Sequence, residues 1–143
     1  MRQLLAILLS IFAALAATPA SAQFKTPEAT VEGLYALYRA SDSTGFNDKH
    51  TARFLEPAVA RQFRSAKHID ADFFVQGQDF EIKYLTIEKP NVAGDKATIV
   101  VTFKNFNKPN RLTYTLAKSP NGWQIADVSN GKTTFRAMLR ASQ

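Results

Sequence analysis

The stretch that decides the fold is ATIVVTFKNFNKPNRLTYTLAKSPNGWQIADV, residues 97–128. Apolar side chains stand at every second position of two runs within it, namely Ala97, Ile99, Val101 and Phe103, then Leu112, Tyr114 and Leu116. A period of two places the side chains of each run on one face of a strand. Turn-forming residues interrupt the stretch, so strands are predicted at about 97–104, 111–117 and 122–128. Connections this short favour antiparallel pairing of successive strands.

One more strand is predicted before this stretch, at about 80–88. Turn signals at 90–95, which include Pro90 and Gly94, separate it from the strand at 97–104. The connection is again short, which makes this segment the first strand of the same antiparallel meander. The sequence therefore predicts a four-stranded sheet.

Helices are predicted before and after the sheet. Thr26 as N-cap and Pro27 in the first turn begin a helix that is expected to end near Ser41. Its apolar face consists of Val31, Leu34, Tyr35 and Tyr38. A loop, a broken helical region that restarts at Pro57, and a last helix are predicted at about 41–47, 48–66 and 133–141. This order predicts the α+β class, with N-terminal helices packed on a curved antiparallel four-stranded sheet and a short C-terminal helix.

Residues 1–22 are predicted to be a cleavable signal peptide that leaves one domain at 23–143. Arg2 precedes an apolar run from Leu4 to Ala17, and Ala20-Ser21-Ala22 supplies the small residues of a cleavage site. Spanning a bilayer takes roughly 20 apolar residues, more than this run has. The sequence contains no cysteine, so neither a lipid anchor nor a disulfide is expected. We therefore expect a periplasmic or secreted protein with no membrane span after cleavage.

Basic residues are concentrated at the C-terminal end of the chain. Residues 99–143 hold 7 Lys and Arg against Asp127 alone, whereas residues 23–98 hold 10 basic and 11 acidic residues. Two interpretations stay open, a solvated surface and a basic surface for an acidic partner. The candidates for such a partner surface are Lys104, Lys108, Arg111, Lys132, Arg136 and Arg140. Nucleic acid is not an expected partner, because export removes the chain from it.

Three segments of the sequence resemble a known bacterial family. They are Pro27, Val31, Tyr35 and Tyr38 in the first helix, Asp70-Ala71-Asp72-Phe73-Phe74 with Gln78-Asp79-Phe80, and Gly122-Trp123-Gln124-Ile125-Ala126-Asp127. On these segments the chain resembles, over about 26–128, the secreted family called domain of unknown function 3828, within the nuclear transport factor 2-like (cystatin-like) superfamily. Phe80 stands where that family usually has Trp. The resemblance implies a cone-shaped fold and an exported location, but no established activity.

Aromatic and polar residues supply a candidate ligand site. Its candidate residues are Tyr35, Tyr38, Asp72, Phe74, Gln78, Asp79, Tyr84, Tyr114 and Trp123. We expect the aromatic members to face the space between the helices and the sheet. There they either fill the core or line the mouth of a partly open cone, where flat apolar rings with polar tips suit a small ligand or a side chain of a partner. The two interpretations differ in whether a cavity remains.

The sequence contains no complete catalytic or metal-binding motif. Asp72 and Asp79 are a candidate acid/base pair, but closely spaced carboxylates also tie loops together by hydrogen bonds. His68, Asp70 and Asp72 lack the further ligands that Ca²⁺ or Zn²⁺ requires. Residues 131–133, Gly-Lys-Thr, lack the earlier glycine of a phosphate-binding loop. We therefore predict no catalytic residue, no metal and no cofactor.

The leading hypothesis is a non-enzymatic exported binding protein of the cell envelope, which takes a small ligand in the cone or a protein through its sheet. One alternative is an immunity protein that neutralises an envelope-targeted toxin, because a basic surface speeds association with an acidic partner. Another is an enzyme that uses Asp72 or Asp79 as acid or base. A pocket with a carboxylate inside would favour a ligand or substrate, whereas a filled core under an apolar and basic sheet face would favour a protein partner. The oligomeric state stays open, a dimer through the sheet included.

Overall fold

The computed structural model describes residues 24–39 and 50–143. Its helices are α1 (Pro27–Ala36), α2 (Pro57–Ser65) and α3 (Phe135–Ala141), with a short 3₁₀ helix at Thr51–Phe54. Its strands are β1 (Ile82–Ile87), β2 (Asn91–Ala93), β3 (Lys96–Asn105), β4 (Lys108–Ser119) and β5 (Gly122–Ser129). The predicted α+β class is confirmed. The predicted signal peptide at 1–22 and the predicted loop at 41–47 lie outside the described residues.

Side-chain caps set the starts of two helices. The Thr26 hydroxyl accepts a hydrogen bond of 3.1 Å from the N–H of Ala29, and Pro27 occupies the first turn of α1. The Thr134 hydroxyl accepts a bond of 3.2 Å from the N–H of Ala137 in the same way, at the start of α3. No helix within 24–39 or 50–143 is long and apolar enough to cross a membrane.

The first helix is shorter than its apolar pattern predicts. It ends at Ala36, and the N–H groups of Leu37, Tyr38 and Arg39 bond to carbonyls three residues earlier. This i to i−3 pattern tightens the end of a helix into a turn. Tyr38 therefore faces the core although the helix ends at Ala36.

The sheet has five strands, not the predicted four. Its order is β1-β3-β4-β5, all antiparallel, and β2 pairs with the start of β3. Because β1 pairs with Val101–Asn105 and β2 with Lys96–Thr98, the two short strands lie end to end along one edge. The prediction of a turn over Asn91 is wrong, since Asn91 is the first residue of β2. All three residues of β2 are exposed, and they pair with β3 through the backbone. A strand of that kind has no apolar alternation to detect.

The predicted inward residues of β3 and β4 form the core. Ala97, Ile99, Val101, Phe103, Leu112, Tyr114 and Leu116 are all buried. Leu34 and Tyr35 of α1, and Phe135 and Leu139 of α3, are buried in the same cluster. The opposite face of β3 and β4, called the outer face below, carries the alternate residues, which are exposed or half-buried. These include Thr98, Thr102, Lys104, Arg111, Thr113 and Thr115.

Candidate functional site

Asp72 is a buried carboxylate that closes a short loop. Its backbone exchanges hydrogen bonds with the backbone of Gly77, and its Oδ1 accepts a bond of 2.9 Å from the N–H of Phe74. Its Oδ2 accepts a bond of 2.6 Å from the Tyr38 hydroxyl. The side chain thus ties the loop at 72–77 to the end of α1. These contacts are the loop-tying role that the sequence offered as the alternative to acid/base chemistry.

Two tyrosines meet beside this loop. The hydroxyls of Tyr35 and Tyr114 lie 2.8 Å apart, and the Tyr35 hydroxyl also donates a bond of 2.9 Å to the carbonyl of Phe74. Burial raises the pKa of Tyr35 and that of Tyr114 far above the ordinary range of a tyrosine. Both hydroxyls are therefore held neutral.

The aromatic rings around these hydroxyls contact one another. Phe74 stacks on Tyr114 with ring centroids 6.4 Å apart, and Phe135 approaches Phe74 at 4.9 Å. Tyr38 meets Phe80 edge-on at 5.1 Å, so Phe80 supplies an aromatic contact at the position where a Trp was expected. Side chains thus fill the centre of the domain.

Five of the predicted ligand residues meet in this filled interior, and four do not. Those that meet are Tyr35, Tyr38, Asp72, Phe74 and Tyr114. Trp123 is buried at the other end of β4 and β5, paired with Lys118. Gln78 and Asp79 are exposed, and Asp79 accepts a bond of 3.2 Å from the N–H of Phe80. A ligand-binding role for these residues stays a prediction.

The structure moves Tyr84 out of the predicted interior set. The pairing of β1 with β3 is irregular between Lys83 and Thr86, and Tyr84 in that bulge has a φ of +55°. The bulge leaves Tyr84 76% exposed, with Lys104 Nζ 5.6 Å from the centre of its ring. The expectation that Tyr84 faces inward with the other aromatic residues is therefore wrong, because the bulge turns its side chain outward.

Tyr84 lines a cleft on the outer face, called the Tyr84 cleft below. The cleft has a volume of about 410 Å³. Its walls are formed by Tyr84, Thr102, Phe103, Lys104, Pro109, Asn110 and Arg111. Arg111 lies 3.9 Å from Glu88, a loose ion pair with both side chains half exposed or more. The cleft therefore joins an exposed aromatic ring to two cations.

A second cleft adjoins the first and is called the Lys132 cleft below. It has a volume of about 300 Å³. Gln76, Lys108, Pro109, Asn110, Arg111, Asn130 and Lys132 line it. The two clefts thus bring together four of the six predicted basic residues. Arg136 and Arg140 are on α3 and line neither of these clefts.

Open grooves also run between α1 and β1. One, of about 600 Å³, is lined by Ala29, Glu32, Gly33, Ala36, Arg39, Leu85 and Ile87. The other, of about 560 Å³, is lined by Tyr35, Tyr38, Arg39, Ile82 and Leu85. The second groove thus reaches two of the predicted ligand residues, Tyr35 and Tyr38. Within the described residues there is no cluster of three or more metal-ligating side chains.

Two residues that shape these sites, Asn105 and Gln76, are not among the predicted site residues. Asn105 is buried, and its side chain accepts from the N–H of Glu81 and donates to the carbonyls of Val75 and Asp79. Gln76, which lines the Lys132 cleft, has a φ of +58°, a backbone conformation that the sequence does not indicate. A polar residue at an inward strand position is the one clue that marks Asn105, since it continues the inward alternation of Val101 and Phe103.

Solved structures share this fold. No family model and no curated protein matches the sequence. A chain of the native type VI effector–immunity complex Tae3–Tai3 from Ralstonia pickettii superposes with a TM-score of 0.59 at 17% identity, over 75% of this chain and 96% of that chain. The selenomethionine form of that complex gives a TM-score of 0.56 at 17% identity, over 76% and 98%. At this identity the likeness establishes a common fold.

Proposed function

We propose that the chain is an exported, non-enzymatic binding protein that holds a protein partner against the Tyr84 cleft. The observation that carries this proposal is Tyr84 itself, a 76% exposed aromatic side chain on a backbone with positive φ. That conformation costs a residue with a side chain roughly 1–2 kcal/mol, and strain of this kind is concentrated at functional positions. Asn or Gly would hold the bulge at a lower cost, and the ring that stands there instead forms part of the wall of the Tyr84 cleft.

The chemistry of the Tyr84 cleft suits a protein surface that is both apolar and acidic. A tyrosine ring offers a large rigid contact area, which is why tyrosine is enriched among the residues that dominate binding energy. Lys104 and Arg111 flank the ring, and cations at such a position steer an acidic partner and fix its orientation.

The filled interior supports a site on the outside of the domain. The hydroxyls of Tyr35 and Tyr114 hydrogen-bond to each other. The Asp72 carboxylate accepts hydrogen bonds from the Tyr38 hydroxyl and from the loop backbone. These polar groups have structural partners already. A filled core below a basic sheet face that carries the exposed Tyr84 ring favours a protein partner over a ligand or a substrate.

The partner class we propose is an effector, so that the chain acts as an immunity protein. Its support is the fold shared with a chain of the type VI effector–immunity complex, together with the basic cleft. The same proposal includes export to the periplasm, which residues 1–22 predict. It also includes membership of the family called domain of unknown function 3828.

Site-specific photo-crosslinking in the periplasm tests the partner site. Benzoylphenylalanine is introduced into the full chain at position 84, or at position 64 as a control, since Arg64 is exposed on α2. We expect a covalent adduct with one protein from position 84 and none from position 64. Equal labelling from both positions would overturn the proposed site.

The identified partner is then purified and tested for binding and toxicity. Lys104→Glu should weaken its affinity at least tenfold, whereas Arg64→Glu, with the same change of charge, should have a much smaller effect. Production of the partner in the periplasm should arrest growth, and co-production of this chain should restore it. A partner that is harmless in that assay would refute the immunity role and leave the binding role standing.

A further inference from the structure

We infer that the Lys132 cleft is a carboxylate-binding subsite, which takes an acidic segment of the protein partner while the Tyr84 cleft takes its apolar part. This inference rests on the proposed function. Its basis is the convergence of three cations from two separate parts of the chain, Lys108 and Arg111 of β4 and Lys132 from the turn before α3. Nothing in the fold itself requires these three charges to meet.

The cleft is built from side chains that fix its walls. Asn130 donates a hydrogen bond of 2.9 Å from Nδ2 to Gln76 Oε1, which joins the turn before α3 to the loop at 72–77. Asn130 Oδ1 also accepts from the N–H groups of Lys132 and Thr133, at 3.0 and 2.9 Å. Asn130 thus fixes the turn that carries Lys132 against the loop at 72–77.

The charges in the cleft are not neutralised locally. Among the residues that the structure describes, Lys108 and Lys132 form no salt bridge, and Arg111 has only the 3.9 Å contact with Glu88. Like charges that share a cleft repel one another, and an anion between them removes that repulsion. Lysine and arginine side chains are hydrogen-bond donors without an acceptor, and a carboxylate accepts through both of its oxygens. The three cations therefore fit a carboxylate.

Continuity of the two clefts favours a protein segment over a free anion. Pro109, Asn110 and Arg111 line both the Lys132 cleft and the Tyr84 cleft. A partner seated on Tyr84 therefore reaches Lys132 without a gap, and Arg111 lies within reach of its acidic side chains from either cleft.

The test uses a blocked synthetic peptide of alternating Asp and Glu residues, titrated into the isotopically labelled chain and followed by backbone amide shifts in NMR spectra. We expect saturable shifts at Gln76 and Lys132. The double variant Lys108→Ala with Lys132→Ala should weaken peptide binding about fivefold to tenfold. The control is Arg61→Ala with Arg64→Ala, which removes the same charge from exposed positions of α2 and should change the affinity less than twofold.

Three results separate the outcomes. Equal weakening in the two double variants would mean attraction by net charge alone and would overturn the subsite. Inorganic phosphate that binds the cleft more tightly than the peptide at equal ionic strength would overturn the assignment to a protein carboxylate. If the peptide fails to bind while Lys104→Glu still weakens the crosslinked partner, the subsite is wrong and the proposed function stands.

Discussion

Tyr38 donates a hydrogen bond of 2.6 Å to the buried carboxylate of Asp72, and the two residues are 34 positions apart in the chain. The same carboxylate caps the N–H of Phe74. A single side chain thus connects the end of α1 to the loop that precedes β1. Substitution of Asp72 therefore tests whether this carboxylate stabilises the fold.

Replacement of Asp72 should therefore destabilise the domain. Asp72→Ala removes the two hydrogen bonds that the carboxylate accepts from the Tyr38 hydroxyl and the Phe74 N–H, which should lower the free energy of unfolding by about 2–4 kcal/mol. Asp72→Asn keeps one acceptor and should cost less. Urea denaturation followed by circular dichroism measures both, with exposed Asp70→Ala as the control that should change little. A stable Asp72→Ala protein would remove the structural role and reopen the catalytic one.

Alkaline pH should unfold the domain through its buried tyrosines. Burial holds the pKa of Tyr35 and of Tyr114 above the ordinary value of 10.0, so the folded state retains protons that the unfolded state releases. This contribution is fully present below pH 10 and is lost as the pH rises above it. Each tyrosine should lower the free energy of unfolding by about 1.4 kcal/mol per pH unit in that range.

The variant Tyr114→Phe tests this assignment. It removes one titrating hydroxyl, so its stability should fall less steeply above pH 10 than that of the unchanged chain, by about the slope of one tyrosine. At neutral pH it should be less stable by about 1–2 kcal/mol, since the Tyr35 hydroxyl loses a partner. Identical slopes in the two proteins would show that other groups cause the alkaline loss.

The sequence predicts the sheet better than it predicts the site, for a physical reason. The inward positions of β3 and β4 follow from a local period of two, and burial confirms residues such as Ile99 and Leu112. The burial of Asp72 depends on Tyr38 across the fold, and the exposure of Tyr84 depends on a bulge. Neither a distant contact nor a bulge has a signature in the local pattern. β2 escapes prediction likewise, since its pairing is made by backbone groups.

Gly122 should not tolerate a side chain. Its φ is +102°, and a Cβ there would lie 2.5 Å from the carbonyl oxygen of Phe24 and 2.7 Å from the Cβ of that residue. In Gly122→Ala the new Cβ must displace the backbone of Phe24, and residue 122 itself must hold a strained φ. The variant should therefore destabilise the domain by about 2–3 kcal/mol. Gly94→Ala is the matched control, because Gly94 has a φ of +59° and no described atom within 4 Å of the added Cβ.

The comparison of these two variants by thermal denaturation separates strain from collision. Gly94→Ala should cost only the conformational strain, about 1 kcal/mol. Equal losses in the two variants would mean that the contact of Gly122 with Phe24 contributes nothing.

Replacement of Tyr84 should weaken partner binding without lowering the free energy of unfolding. Asn adopts positive φ more readily than Tyr, so Tyr84→Asn should leave the free energy of unfolding unchanged or raise it by up to about 1 kcal/mol. The same change removes the exposed ring and should weaken binding of the crosslinked partner at least tenfold.

Phe106 provides the matched control, since it is 55% exposed and has a φ of +47° in the β3–β4 turn but lines neither cleft. Phe106→Asn should raise stability similarly and leave partner affinity within about twofold. If both variants weaken binding equally, exposed apolar area in general attracts the partner, and the bulge at Tyr84 has no specific role.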